Sequence, residues 1–192
     1  VLAVWESPEA FIAWHGGDWL REYRRRSEEH VTVTQYPIRA RGLWNGRQPF
    51  RLEEPPTSVP LRAVITRGAI RPLRLAQFWA TVPSTSRATE KAGGRLFSVG
   101  IGETPWVEQA TWSLWESEGA IRAFAHGSSA HKRAIKRTHT LNWYSEELFA
   151  RFVPYAAIGS WSTMPDLQPH GVTYFADLPS QAALQAARDS QG

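Results

Sequence analysis

An internal repeat constrains the fold more than any other feature of this sequence. The tripeptide Trp-Glu-Ser at residues 5–7 returns at residues 115–117. Further along, Pro37, Gly42 and Trp44 recur with the same internal spacing as a proline, a glycine and a tryptophan at positions 154, 159 and 161. So many matches in the same order are hard to obtain by chance. The chain therefore contains two copies of one structural unit.

The second copy has the pattern of a complete unit. Helix-like stretches begin at Pro72 and Ser117, and we expect the first to be interrupted at Pro83 and the second to run to about residue 140. Strand-like runs occupy residues 61–70, 95–102, 107–115 and 147–158. The order strand, helix, strand, strand, helix, strand is that of a ferredoxin-like unit.

The first copy contains only the second half of such a unit. Residues 1–5 have the pattern of a strand, Ser7 and Pro8 suit the start of a helix, and residues 31–36 have the pattern of the last strand. We predict an α+β fold in which two ferredoxin-like repeats form an α+β barrel. The first repeat is incomplete at its N-terminus, and we expect further residues upstream of it in the expressed protein.

The predicted divisions follow from the repeat. They are residues 1–44 for the C-terminal half of the first repeat, 45–59 for a linker rich in Pro and Glu, 60–163 for the complete second repeat, and 164–192 for a polar tail with one weak helix near 181–188 and no part in the chemistry. Ten tryptophans are many for 192 residues. We expect five of them to lie in the core, namely Trp5, Trp44, Trp112, Trp115 and Trp161.

Composition excludes several classes of function. The chain has no cysteine, which excludes disulfides, thiolate metal sites and cysteine nucleophiles. Basic residues outnumber acidic ones by 22 to 18, but acidic residues interrupt the arginine clusters, so we predict no nucleic-acid interface. No apolar run approaches the roughly 20 residues that cross a bilayer, so we expect no transmembrane segment. A cytoplasmic location is expected, with peripheral contact to a membrane as the alternative.

Several motifs resemble those of the spheroidene monooxygenase family. They are the runs at residues 100–105, 109–115, 120–125 and 143–152, the Ala-His pair at 130–131, Gly-Ser-Trp at 159–161 and, upstream, residues 41–46, 71–72 and 78–79. The resemblance covers about residues 1–163. It implies a haem-binding dimeric α+β barrel that inserts oxygen into a hydrophobic small molecule, with a carotenoid ketolase as the type case. A haem dehydratase or peroxidase, and a haemless barrel that binds an apolar ligand, remain open.

Haem b would need an axial ligand from this chain, and histidine is the candidate because cysteine is absent. His131 and His139 lie on one helical face by their spacing, and His131 takes the place of the apolar Leu20 in the first repeat. The family motif around His131 favours it as the axial ligand, with His139 and His126 as alternatives. Three cations flank it and are candidates for binding the haem propionates, although they also suit a solvated helix surface: Arg122, Lys132 and Arg133.

The sequence of the first repeat argues against a haem there. Its helix resembles that of small haem-degrading monooxygenases of the same barrel fold, and Arg24 stands where those enzymes carry their haem-ligating histidine. His15 and His126 lie beside glycines at matching places of the two repeats, which favours a structural role for both. The sequence contains no flavin or nicotinamide motif, so electrons would come from an external, ferredoxin-like donor. A homo-oligomer is left open, and no catalytic residue is assigned.

Overall fold

The structure is a computed structural model that describes residues 2–54, 59–102, 104, 106–127 and 140–191. Its helices are α1 (Pro8–His15), α2 (Asp18–Arg26), α3 (Leu75–Glu90), α4 (Glu118–Gly127) and α5 (Gln181–Asp189). Its strands are β1 (His30–Gly42), β2 (Arg62–Ile70), β3 (Arg95–Gly102), β4 (Glu108–Trp115), β5 (Tyr144–Ser160) and β6 (Thr173–Phe175). Short 3-10 turns occupy Pro72–Arg74 and Gln168–His170.

Strands β2 to β5 form the ferredoxin-like unit of the second repeat. Their order in the sheet is β5-β2-β4-β3, and every neighbouring pair is antiparallel. Helix α3 connects β2 to β3, and α4 follows β4. This strand order and the chain order strand, helix, strand, strand, helix, strand are those of a ferredoxin-like unit. The predicted α+β fold class is confirmed.

Strands β1 and β5 correspond to each other in the repeat, and they pair directly. They run antiparallel over the whole length of β1. Each carries one β-bulge at the residue after its repeated proline, which is Ile38 after Pro37 and Tyr155 after Pro154. Because the two bulges fall at matching positions of the repeat, the two strands are related by a local two-fold axis.

The repeated glycines mark two further matching points on these strands. Gly42 and Gly159 both have a positive φ, 90° and 83°. A methyl group on Gly42 would lie 2.1 Å from the carbonyl oxygen of Glu147, and one on Gly159 would lie 2.6 Å from the carbonyl oxygen of His30. Glu147 and His30 themselves match in the repeat. The same close approach between the backbones of β1 and β5 therefore occurs twice, and only glycine fits it without strain.

The first repeat departs from its prediction at its start. Residues 2–5 form no strand, so Trp5 precedes α1 in an irregular segment, whereas Trp115 ends β4. In the second repeat β4 lies between β2 and β3. Within the described ranges no strand takes those flanking positions beside residues 2–5, and a strand cannot persist without partners for its backbone groups. The two repeats were expected to share a strand, a helix and a strand. In the structure they share only the helical part and the strand that follows it.

Helix α3 is also different from its prediction, because it is continuous through Pro83. A proline inside a helix removes one N–H from the hydrogen-bond ladder and usually bends or ends the helix. Pro83 lies on the exposed side of α3, where water can take over the carbonyl that loses its partner. The expected interruption at this residue is therefore wrong.

The sheet curls around one large core. Strand β1 is separated from β4 by two strands, yet the indole Nε1 of Trp112 on β4 donates to Oε1 of Gln35 on β1 at 3.2 Å. Strands lie about 4.8 Å apart in a flat sheet, so this contact requires strong curvature. Trp112 and Trp115 are buried as predicted, while Trp5 and Trp44 are half-buried against the core. Trp161 lies at the rim of the core and is 38% exposed, so the prediction that it is buried is wrong.

Residues after 163 contribute to this core. Strand β6 pairs in parallel with β5, and α5 packs against α1 and β5. The buried apolar side chains from this segment are Leu167, Val172, Leu184 and Ala187. The segment expected to be a polar tail is thus part of the folded body. In the expected linker, residues 45–54 and 59 contain no helix or strand apart from a bridge between Trp44 and Arg47.

Candidate functional site

Helix α4, which carries the described part of the predicted site, is fixed on one face of the second-repeat sheet. The hydroxyl of Ser117 accepts a hydrogen bond from the N–H of Ala120 at 3.1 Å and so caps the helix. Ile121 is 6% exposed and packs in a cluster with Val64 and Trp115. At the same face, Glu118 pairs with Arg151 of β5. The start of α4 therefore has a fixed position.

The predicted haem-binding residues lie on this helix or follow it. Arg122 and His126 are exposed on α4, in agreement with solvated helix positions. His131, Lys132, Arg133 and His139 lie outside the described residues, so the prediction that His131 is an axial ligand stays a prediction. The structure brings none of these side chains into a described pocket.

His15, the first-repeat counterpart of His126, lies in a very different environment. Its side chain is 1% exposed, and burial, aided by the Arg24 guanidinium, lowers the pKa of the imidazole to about 4. Nε2 lies 3.3 Å from the hydroxyl of Thr32, and Nδ1 lies 2.9 Å from Nη2 of Arg24. The same Nη2 also contacts Nε2, so the guanidinium, which can only donate, lies against both ring nitrogens. Both ring nitrogens of this neutral histidine are occupied.

A second polar cluster, around Arg67, was not identified from the sequence. Arg67 is 2% exposed, and its guanidinium donates to Oε1 of Glu146 at 2.6 Å and to Oε1 of Glu108 at 3.1 Å. It also donates to Oδ1 of Asn45 at 3.0 Å and lies 4.8 Å from the centre of the Trp44 ring. The cluster ties the turn after β1 to β2, β4 and β5. The signal in the sequence is a charged residue at an inward position of a strand that is otherwise apolar on that side.

The Glu146 carboxylate completes this connection. It accepts hydrogen bonds from the backbone N–H groups of Asn45 and Gly46, each at 2.7 Å. The Gly46 N–H, then the Asn45 N–H and Arg67, lower the pKa of the Glu146 carboxyl against the opposing effect of burial. Every oxygen of Glu146 therefore has a donor, and this cluster is structural and not a vacant binding site.

Two cavities open at opposite ends of the sheet. The larger, of about 530 Å³, is lined by Arg71, Pro72, Leu73, Arg74, Leu141, Asn142 and Ser145. The smaller, of about 210 Å³, is lined by Val31, Ser160, Trp161, Met164, Pro165, Asp166 and Tyr174. Neither is lined by Arg122 or His126. Their mixed polar and apolar walls do not by themselves identify a substrate.

Curated relatives decide the family. No family model matches the sequence. A spheroidene monooxygenase of Cereibacter sphaeroides is 33% identical over 163 residues, which are 84% of this chain and 50% of that enzyme. A spheroidene monooxygenase of Rubrivivax gelatinosus is 36% identical over 163 residues, which are 84% of this chain and 62% of that enzyme. This chain belongs to the spheroidene monooxygenase family.

The resemblance noted in the sequence motifs is thereby confirmed. This member of the spheroidene monooxygenase family spans about half to three fifths of the length of the relatives it matches. Among solved structures, a protein from Methanosarcina mazei Go1 is similar with a TM-score of 0.42 and 16% identity, over 49% of this chain and 92% of that protein. Among the described residues no helix combines the length and apolarity needed to cross a bilayer.

The family motifs map onto a connected part of the fold. The run at 100–105 begins at the end of β3, the run at 109–115 lies in β4, and the run at 120–125 lies in α4. The run at 143–152 forms the first half of β5. These four runs belong to the second repeat, whereas the motif at 41–46 begins at the end of β1 in the first repeat.

Neither His15 nor His126 is suited to bind the haem that the resemblance to spheroidene monooxygenases implies. His15 has no free nitrogen, because Thr32 and Arg24 occupy the ring, and a guanidinium beside it disfavours a second cation. His126 is exposed, so its side chain does not lie in an enclosed pocket that could surround a porphyrin. Within the described ranges no three metal-ligating side chains cluster. His15 and His126 therefore do not fit an axial ligand of haem, and the expectation about the first repeat stays a prediction.

Proposed function

We propose that this chain is part of a cytoplasmic, haem-dependent monooxygenase that inserts oxygen into a carotenoid. The observation that carries the proposal is the 33–36% identity to spheroidene monooxygenases over 74–84% of the chain. The substrate class comes from the names of those relatives and from the resemblance of the sequence motifs.

The arrangement of α4 supports the proposal. Ile121, Trp115 and the pair between Glu118 and Arg151 fix this helix on the sheet, so the segment after Gly127 leaves from a defined position. In this proposal His131 provides the axial imidazole from that segment. The candidate partners for the propionates are Arg122, Lys132 and Arg133. Haem b would supply the redox chemistry that activates dioxygen, with electrons from an external ferredoxin-like donor.

A haemless barrel that binds an apolar ligand is the second candidate. It is favoured by one observation, that His15 is engaged at both ring nitrogens and His126 is exposed. The two candidates differ in a directly measurable property, which is the binding of haem by the purified protein.

Haem reconstitution of the full chain tests the proposal. We expect wild type to show a Soret band and to retain about one haem per chain after gel filtration. His131→Ala should lose most of the bound haem, because a neutral imidazole bonds iron directly and no other side chain replaces it. His126→Ala is the matched control on the exposed face of α4, and it should retain the wild-type spectrum.

Two results would contradict parts of this proposal. A wild-type spectrum in His131→Ala, with loss in His126→Ala or His139→Ala, would reassign the ligand but leave the haem in place. If wild type binds no haem while its circular dichroism shows a folded protein, the haemless barrel is correct. Oxygenation of a carotenoid by the reconstituted protein and a reduced ferredoxin, followed by mass spectrometry, tests the activity separately.

A further inference from the structure

One end of the sheet carries an unusual set of exposed side chains. The C-terminal ends of β1, β2 and β3 and the N-terminal ends of β4 and β5 meet there, as the register of the strands requires. Ile70 at the end of β2 donates its N–H to the Val107 carbonyl at 2.8 Å, and Arg71 donates its N–H to the Trp143 carbonyl at 2.8 Å. The 3-10 turn Pro72–Arg74 and the turn between β3 and β4 are therefore neighbours. We name this region the turn end.

Large apolar side chains point into solvent at the turn end. Leu73 is 95% exposed, Trp106 is 66% exposed and Leu43 is 44% exposed. A single exposed leucine is ordinary on a protein surface. Here three large apolar side chains are exposed on turns at the same end of one sheet, and exposed apolar surface of this kind marks contact sites.

The backbone holds Trp106 in this exposed position. Its φ is +70°, in the left-handed region that a bulky residue rarely adopts. The N–H groups of Val107 and Glu108 both donate to the Thr104 carbonyl, at 3.2 and 3.0 Å. The indole Nε1 of Trp79 on α3 donates to the Trp106 carbonyl at 3.1 Å. The turn is thus firmly connected to α3, and its strained residue is the one that presents an aromatic ring to solvent.

The described residues at the turn end include more arginines than acidic residues. Arg41, Arg47 and Arg71 are exposed, and Arg74 is half-exposed. Among the residues that the structure describes, the acidic ones of this region are Glu108, Glu146 and Glu147, of which the first two bind the buried Arg67. Among the described residues this leaves Glu147 as the acidic side chain that faces solvent beside four arginines. Cations around exposed Trp and Leu side chains are typical of surfaces that bind anionic lipid bilayers.

We propose that the turn end binds an anionic phospholipid bilayer as a peripheral membrane surface. Leu73 and Trp106 enter the region between headgroups and acyl chains, and Arg71 and Arg74 contact lipid phosphates. The tryptophan suits that boundary because its ring is apolar and its N–H is polar. The proposal requires neither haem nor activity, so it stands or falls independently of the proposed function.

Vesicle co-sedimentation tests this surface. The full chain is mixed with phosphatidylcholine vesicles that contain either no phosphatidylglycerol or about one third of it. We expect wild type to bind the anionic vesicles and to bind pure phosphatidylcholine at least about ten-fold more weakly, because the arginines contribute through the surface potential. Added salt should weaken the binding, since screening shortens the range of that potential.

Three variants separate the contributions. Leu73→Gln combined with Trp106→Asn should lower the partition coefficient at least ten-fold, and asparagine keeps the turn because it tolerates the left-handed region. Arg71→Gln combined with Arg74→Gln should lower binding to anionic vesicles about ten-fold and leave binding to neutral vesicles unchanged. Trp19→Asn is the matched control: Trp19 is 57% exposed on α2, where its ring contacts are with Trp14 and Tyr23. It should bind like wild type.

Several results would overturn the proposal. They are an absence of binding by wild type, equal binding by the Leu73→Gln/Trp106→Asn variant, and an equal loss in Trp19→Asn. Thermal unfolding of every variant verifies that a loss of binding does not come from a loss of fold. Light scattering tests the alternative that the turn end binds a second copy of the chain. If wild type is an oligomer and the Leu73→Gln/Trp106→Asn variant is a monomer, the turn end is a contact between copies, and the membrane proposal is wrong.

Discussion

His15 illustrates how the environment of one side chain determines what it can do. The residue is buried between Phe11, Thr32 and Arg24, with His30 close enough to affect its charge. Burial and two neighbouring basic groups all disfavour a proton on this ring, so the folded protein holds it neutral. His15, for which the sequence favoured a structural role, is therefore a polar core residue.

This environment makes the stability of the protein depend on pH. The pKa of His15 is lowered from 6.5 to about 4 in the folded state, so the unfolded state binds the proton more strongly. The free energy of unfolding should therefore fall as pH decreases from about 6.5 to about 4, by roughly 2–3 kcal/mol from this residue. His15→Gln can retain both hydrogen bonds but does not titrate, so its stability should vary less over this range. Urea unfolding between pH 4 and 7 measures the difference.

His126→Gln provides the control for this experiment. His126 is exposed on α4, so its replacement should leave the pH dependence of unfolding as in wild type. His30, whose pKa is also lowered, chiefly by burial, remains in both variants and contributes equally to their curves. Identical slopes for wild type and His15→Gln would show that the imidazole is not held neutral.

Among the structural elements, β1 and β5 depend on two glycines in equivalent places. Gly42→Ala and Gly159→Ala should each lower the free energy of unfolding by at least about 2 kcal/mol, because each methyl group meets a carbonyl oxygen and each backbone has a positive φ. Gly93→Ala is the matched control, since a methyl group there meets nothing within 4 Å. Thermal or urea unfolding measures all three. A neutral effect at Gly42 with a large one at Gly159 would argue against equivalent crossings.

The repeat and the alternation of apolar residues predicted most elements correctly. The strand predicted at 95–102 has the bounds of β3, and the strands predicted at 61–70 and 107–115 differ from β2 and β4 by one residue. These strands are predictable because the signal lies within each strand, as an alternation of apolar and polar residues or as a run of β-branched residues. The strand at residues 1–5 was wrong because its formation depends on neighbouring strands. The break at Pro83 was wrong because exposure to water reduces the cost of a proline in a helix.

The candidate site was less predictable than the fold. The sequence correctly predicted a helix that begins after Ser117, because a cap and an amphipathic helix are local signals. It did not identify the cluster around Arg67, since Glu108 and Glu146 come together with it only when three strands are paired. Long-range contacts between charged residues leave no local pattern. The role of His131 in the predicted site stays a prediction.

At the scale of the whole molecule, the segment after residue 163 closes the core. Leu184 of α5 is 1% exposed, so Leu184→Ala should destabilise the protein by about 3 kcal/mol through lost burial and the cavity left behind. Leu73→Ala is the matched control: the same change at a residue that is 95% exposed should shift the free energy of unfolding by less than about 0.5 kcal/mol. Urea denaturation of both variants measures this. Equal effects would mean that α5 is not docked in solution.

The pairing of β1 with β5 also affects how the chain can be made. About 100 residues separate the end of β1 from the start of β5. A ribosome adds roughly 5–20 residues per second, so β1 leaves it about 5–20 s before the strand with which it pairs has been synthesised. During that interval β1 presents an unpaired edge, which other chains and chaperones can contact. The repeat that is synthesised earlier is thus the one that completes its folding only after the other.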